Sequence, residues 1–322
     1  MLHFANSQLY WECEDLTASE AFPYGVETLD SKQHGFSVYV SPGHLSPYSY
    51  GGWGCVLKKW GATVEMYSRC GLTKPEDKLV AISGIARRFQ PYMSCRYLAG
   101  HWESHLIWQL PWRGYKYTPA SKSTLQYHAP SWSWAYHNRP IDYCDVLSSR
   151  SRRVYEVYHE LVDILDVVVE PLHSDPYGQV KSGSLRLLGS LFALEFSLEA
   201  EYHLNFEGMA ASCNGEKSIF GTYFDVDGSQ PCPLFCLPLL VSTEDSFGIC
   251  VNFESIILHP TDQSGVFRRV GYLGNGVESG LDLGRDDFTK DPLLRCIGTV
   301  DWSKKPGKFT RNRSNEQEII II

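Results

Sequence analysis

The spacing of apolar residues changes character near residue 120. Before that point it is helical. Trp53, Val56, Leu57, Trp60, Val64 and Tyr67 fall three and four apart and predict a helix from Tyr50 to about Cys70. A second helix start follows. Thr73 can cap it, Pro75 sits in its first turn, and Glu76 stands three residues after Thr73, as in a capping box. Leu79, Ile82, Ile85, Ala86 and Phe89 give that helix its buried stripe, and a third helix is expected over Leu98 to Leu110, ended by Pro111. Residues 2–12 alternate as a strand or hairpin with Asn6-Ser7 at the turn, and residues 23–49 read as an ordered loop rich in Pro, Gly, Ser and Tyr.

After Pro119 the texture turns to strands. Segments 161–170, 184–194, 234–241, 247–258, 267–273 and 294–302 are β-branched or aromatic and bounded by Gly, Pro or Asp, with turn chemistry over Ser174 to Gly183. The stretch from Gly274 to Asp291 reads as a surface loop. The terminal isoleucines of EIIII are expected as an edge strand or as packing on a neighbour. The fold class expected is α+β. Residues 1–119 form a helix-rich part with an N-terminal hairpin, packed on a mainly antiparallel β-rich part over 120–322, the two making one unit.

Composition narrows the functional classes. With 322 residues, 43% hydrophobic and 20% charged, the chain is of globular type. A net charge of −8 without a basic stripe argues against nucleic-acid binding. No apolar run reaches membrane-spanning length, so membrane insertion is not expected. Ten scattered cysteines, without a signal-peptide pattern in MLHFANSQLYWEC, point to free thiols and a cytoplasmic location. Cys232 and Cys236 lack a second pair at zinc-site spacing. His101 and His105 stand four apart on the expected third helix but lack a third ligand. No metal and no cofactor is expected. Asp225, Asp227, Asp245 and Asp262 are read as turn residues, and Asp163, Asp166 and Glu170 as outward charges.

The most particular string is YHAPSWSWAY, Tyr127 to Tyr136. Its period of two would place Trp132 and Trp134 on one face of a strand. With FANSQLYWEC (Phe4 to Cys13), KPEDKLVAISGIARRFQ (Lys74 to Gln90), YLAGHWESHLIWQLPWR (Tyr97 to Arg113) and DPYGQVKSGSLRL, it resembles the C-terminal region of the fungal heterokaryon-incompatibility (HET) proteins. The resemblance implies that nearly all of the N-terminal HET signalling domain is missing, and that no active residue of that domain can be carried over. The family pattern has Arg at the position of His128, Ser at that of Tyr136, and an Asp-Gly turn near His137-Asn138-Arg139. These departures cluster on one segment and point to an altered pocket.

No G-x-S-x-G elbow, P-loop or HExxH stands in the chain, and Gly274-Asn275-Gly276 with Gly280 lacks the context of a dinucleotide site. What remains is chemistry that needs no such motif. Holding a reactive substrate in a productive conformation can contribute roughly 7–11 kcal/mol, and a hydrogen bond to developing charge adds a few more. Two functions are expected from this. The first is a cofactor-independent cyclase or isomerase of fungal specialised metabolism, of [4+2] pericyclase type, acting on an apolar terpenoid or polyene. The resemblance carries this association with terpenoid and polyketide cyclisation. His128 and His137 would supply the polar catalytic contacts, and Tyr127, Trp132, Trp134, Tyr136 and Asn138 would bind the substrate. The alternative is a non-catalytic interaction or regulatory module derived from a HET protein. Neither excludes a homo-oligomer.

Overall fold

A computed structural model describes residues 2–4, 9–12, 17–19, 52–70, 72, 74–114, 127–143, 147, 158–196, 208–213, 216–225, 232–242, 252–274, 292–301 and 308–322. The chain divides into two units, Met1–Val56 and Leu57–Ile322. The expected Asn6-Ser7 turn, the Thr73 cap, most of the Gly274–Asp291 loop, and Asp227 and Asp245 lie outside the described residues, as does the loop expected over residues 23–49.

In the first unit β1 (Leu2–Phe4), β2 (Leu9–Glu12) and β3 (Thr17–Ser19) form an antiparallel sheet in that order. Helix α1 (Gly52–Ser68) starts in the first unit and continues into the second. In the second unit α2 (Lys78–Met93) follows a single 3-10 turn at Pro75–Asp77. Leu79, Ile82, Ala86 and Phe89 of α2 are buried, as its spacing predicts, and Ile85 is half-buried.

The expected third helix shrinks to α3 (Leu106–Gln109). Before it stand two short strands, β4 (Tyr97–Leu98) and β5 (His101–Trp102). The reason is local. Ala99, Gly100 and His105 all take positive φ, which breaks any helix through this stretch. The Gln109 side chain then bonds the backbone of Trp102, accepting from its N–H and donating to its carbonyl. His101 and His105 therefore do not share a helical face.

The remaining strands are β6 (Trp112–Gly114), β7 (Ile141–Tyr143), β8 (Tyr158–Glu160), β9 (Asp163–Pro171), β10 (Val180–Ser190), β11 (Phe192–Phe196), β12 (Gly208–Cys213), β13 (Glu216–Phe224), β14 (Leu234–Ser242), β15 (Asn252–Pro260) and β16 (Val266–Gly274). Helix α4 (Pro292–Ile297), β17 (Gly298–Asp301), β18 (Lys308–Arg311) and β19 (Glu316–Ile321) complete the chain. The expected strand over 294–302 thus opens as a helix.

Ten strands share one sheet, running β13-β12-β11-β14-β15-β16-β19-β10-β9 with β8 on β14. Strand β13 also pairs with β16, so β11 to β16 close into an antiparallel barrel. Closure removes the exposed edges of those strands. Alternate residues from four of them, among them Phe192, Leu234, Cys236, Phe253, Ile257 and Leu273, gather with Leu293 and Ile297 of α4 in one buried cluster. The mixture of helices and a large, mainly antiparallel sheet makes the fold α+β.

The tail departs from expectation. Strand β19 lies between β10 and β16, and its contact with β16 is the one parallel pairing among the described strands. Ile319 and Ile321 are fully buried. An apolar run with partners on both sides gains more burial than an edge could offer, which places it inside the sheet.

The cysteine expectation holds only in part. Cys70, Cys95, Cys232 and Cys236 are free, and Cys296 is disulfide-bonded. Among the described residues no helix is long and apolar enough to cross a membrane, and no cluster of His, Cys, Asp and Glu has metal-holding geometry.

Candidate functional site

The segment Tyr127 to Tyr143 is not a strand in its first half. Ser133 accepts a hydrogen bond from the Ala135 N–H at 3.0 Å and donates to the Ala99 carbonyl. Ser131 accepts from the Arg269 N–H at 3.0 Å and donates to the Ile322 carbonyl. The two hydroxyls take the backbone partners that a strand ladder would need, and the chain closes into a 3-10 turn over Trp134–Tyr136. The expected strand face carrying both tryptophans is thus replaced by a buried turn.

Trp132 and Trp134 have no exposed surface. Trp134 meets the Tyr67 ring edge-on at 6.0 Å and donates from Nε1 to the Gly100 carbonyl at 2.7 Å. The fit is close: a Cβ on Gly100, whose φ is +100°, would fall 2.6 Å from Trp134 Nε1. Trp132 lies 5.8 Å from the ring of His101, and its carbonyl accepts from Trp112 Nε1 at 3.2 Å. Both indoles are core, enclosed on all sides, and line no open wall in this conformation.

Beneath them sits a cation that the sequence reading missed. Arg269 of β16 is 1% exposed. Its guanidinium lies 3.2 Å from the centroid of the Trp112 ring. It donates to Asp225 Oδ2 at 3.2 Å, to the Leu110 carbonyl at 2.7 Å, and to the Trp112 carbonyl. One fork of donors thereby ties β16, the end of β13, the α3–β6 link and, through its own N–H, the Ser131 turn. Asp225 is a buried counter-ion, not the turn residue expected, and its Oδ1 has no hydrogen-bond partner. Arg269 had a signal. In FRRVGYL, strand alternation must turn one arginine inward whenever Phe267 and its neighbours are buried.

Lys78 is the second missed cation. It is the first residue of α2, 8% exposed, and its Nζ donates to the His137 carbonyl. Burial pushes its amine down to about 8. Its signal was the helical period: Lys78 lies four residues before Ile82, on the buried stripe.

His137 is buried, its ring 5.7 Å from that of Trp112 and packed on Gly114, where a Cβ would lie 2.8 Å from Nε2. Burial pulls the imidazole below its ordinary value, against the opposing pull of Asp225. Nδ1 is 3.2 Å from the Arg139 N–H and 3.4 Å from its carbonyl. The shorter contact assigns Nδ1 as acceptor, so Nε2 carries the proton. That Nε2–H has no partner. His101 shows the same condition. It is fully buried, and burial with the charge of Arg269 lowers it to about 3. Neither ring nitrogen meets a partner at hydrogen-bonding geometry, although the Trp132 backbone lies beside the ring.

The other expected site residues are nearer the surface. Tyr127 is 46% exposed. His128 Nε2 lies 3.0 Å from the Tyr136 carbonyl, and the two rings stack at 6.0 Å. Asn138 is half-buried in the turn between His137 and Arg139. The structure thus sorts the expected set into a rim of Tyr127, His128, Tyr136 and Asn138, a buried His137, and two core tryptophans. Chemically, the buried part offers an uncommitted N–H donor on a neutral imidazole, an uncommitted carboxylate oxygen, and an amine of lowered basicity.

No family profile, curated protein or solved structure matches this chain.

Proposed function

We propose that the chain is a cofactor-independent cyclase or isomerase of fungal specialised metabolism, derived from the C-terminal region of a HET protein. It acts on an apolar terpenoid or polyene in the manner of a [4+2] pericyclase. The observation that carries this reading is the Nε2–H of His137: buried, on a neutral ring, and without an acceptor. An unpaired buried donor costs about 1–3 kcal/mol. That cost is offset when a substrate carbonyl accepts the bond, and the bond strengthens as charge develops on that oxygen. In this reading His128 and Tyr136 order the entrance, and the cytoplasm is the site of action. The test is to incubate the purified protein with the polyene made by the preceding step of its gene cluster. Acceleration and a single stereoisomer are expected, and both are lost in His137→Ala. A rate and product ratio equal to those without protein would refute the reading.

A second reading, a non-catalytic interaction module, is favoured by one other observation. Ile164, Leu165 and Val168 of β9 are exposed at the last strand of the described sheet, with Leu172 just beyond. Against it, Asp163, Asp166 and Glu170 interrupt that apolar row, and the β9–β10 pairing has two register shifts. Both features guard a strand edge against further pairing. Cross-linking of the purified protein in fungal lysate that yields a stoichiometric partner, abolished by Val168→Lys, would favour this module.

A further inference from the structure

We infer that Lys78 captures an aldehyde or ketone as an imine, which makes a carbonyl compound the substrate class of this site. The inference deepens the cyclase reading and rests on it: an α,β-unsaturated carbonyl held as an iminium accepts electrons in ring closure more readily than the free carbonyl.

The argument is geometric first. Lys78 is 8% exposed, and among the described residues no carboxylate pairs with it. Its amine is held by one backbone acceptor, the carbonyl of His137. A buried lysine normally has an anionic partner, because an uncompensated buried charge is costly. Here the neighbourhood is set against the charged form. The His137 imidazole is neutral, and Tyr67 spends its hydroxyl on the Lys78 carbonyl at 2.7 Å. Asp225 is already paired with Arg269. Asp77, next in the chain, is half-buried and makes no bond to Nζ.

Independently, the His137 Nε2–H is buried without a partner and belongs to the residue whose carbonyl holds the amine. One residue thus presents both a tether for the nucleophile and a free donor for an oxygen. The fall of the amine to about 8 agrees with this arrangement. It raises the fraction of free base at neutral pH on the order of a hundredfold over an ordinary lysine.

The chemistry balances without a further reagent. The lone pair of the neutral amine attacks the carbonyl carbon and forms the C–N bond. The nitrogen loses a proton and the oxygen gains one, giving a carbinolamine. Protonation of its hydroxyl from solvent expels water and leaves the iminium. Hydrolysis returns the lysine.

The test uses the full-length chain, propanal as the probe and cyanoborohydride as the reductant. Hydride adds to the iminium carbon and fixes a secondary amine, and peptide mapping by mass spectrometry locates it. No variant is needed, so folding does not confuse the outcome. Near neutral pH, Lys78 should be alkylated about tenfold faster than Lys181, which is 62% exposed and paired with Glu170. Alkylation of Lys181 with Lys78 untouched overturns the inference. The cyclase reading fails separately. Trapping at Lys78 without acceleration of a polyene aldehyde's cyclisation leaves the carbonyl capture standing and removes the cyclase. Acceleration without trapping does the reverse.

Discussion

Two regions of this molecule are rich in apolar residues and treat them in opposite ways. Around the Ser131–Trp134 turn, every large side chain is enclosed, and three polar side chains beside them bond to backbone groups far away in the chain. Ser131 reaches Ile322, Trp134 reaches Gly100, and Arg269 reaches Leu110. In the outer hairpin of β9 and β10, Ile164, Leu165 and Val168 remain exposed, and the polar residues pair with each other at the surface, as Lys181 does with Glu170 at 2.8 Å. Apolar content is not what separates them. In the first region the Ser131, Trp134 and Arg269 side chains each hold a backbone partner distant in the chain, while Trp132 Nε1, His137 Nε2 and both His101 nitrogens have none; in the second, solvent can replace any partner. The first should therefore be intolerant of change and the second indifferent to it.

The largest effect expected is at the centre of the turn. Arg269→Met leaves Asp225 buried and unpaired and frees three acceptors, and a loss of about 3–5 kcal/mol in denaturant unfolding is expected. Arg269→Lys should rescue little, because one ammonium cannot reproduce the planar fork. A loss below about 1 kcal/mol would erase the contrast between the regions.

Next is Lys78→Met, which should stabilise. In the unfolded chain the lysine keeps its proton to about 10.5, whereas in the fold it loses it at about 8. The unfolded state binds more protons between those values, so this group's penalty is full below pH 8 and fades as pH rises to 10.5. The penalty is about 3 kcal/mol, less about 1 for the lost bond to His137. Thermal melts should show the variant about 2 kcal/mol ahead at pH 7, with the advantage shrinking between pH 8 and 10. An advantage independent of pH would mean that the amine is not held down.

Trp134→Phe keeps most of the packing and removes the bond to Gly100, for a loss of about 1–2 kcal/mol by chemical denaturation. The smallest effect belongs to the hairpin. Val168→Thr should shift stability by less than about 0.5 kcal/mol, since an exposed side chain gives up little burial. A larger loss there would show that the strand end is covered by a partner.

How much of this was legible depends on the range of the forces involved. The stripe of α2 follows from local spacing and the turn after β9 from local turn chemistry, although β10 begins at Val180, inside the stretch expected as turn. The candidate site was half legible. YHAPSWSWAY marks the segment that folds into the buried turn, and His137, just after it, carries one of several buried donors without a partner. Its period of two misled, because two serine hydroxyls satisfied backbone groups that a strand would have paired. Lys78 and Arg269 carried signals, since each is a charge on an apolar period. Nothing in the sequence said what would answer those charges.

The sequence by itself determined which stretches must hide an apolar face and which residues sit on the wrong side of that pattern, because helix and strand periods are properties of the local backbone. Tertiary structure alone decided that β13 closes on β16, that the final isoleucines enter the sheet's interior, and that an arginine lies against Trp112. These are contacts between residues far apart in the chain. Each is chosen by which partner buries the most surface and leaves the fewest polar groups unanswered, a competition that no local period records.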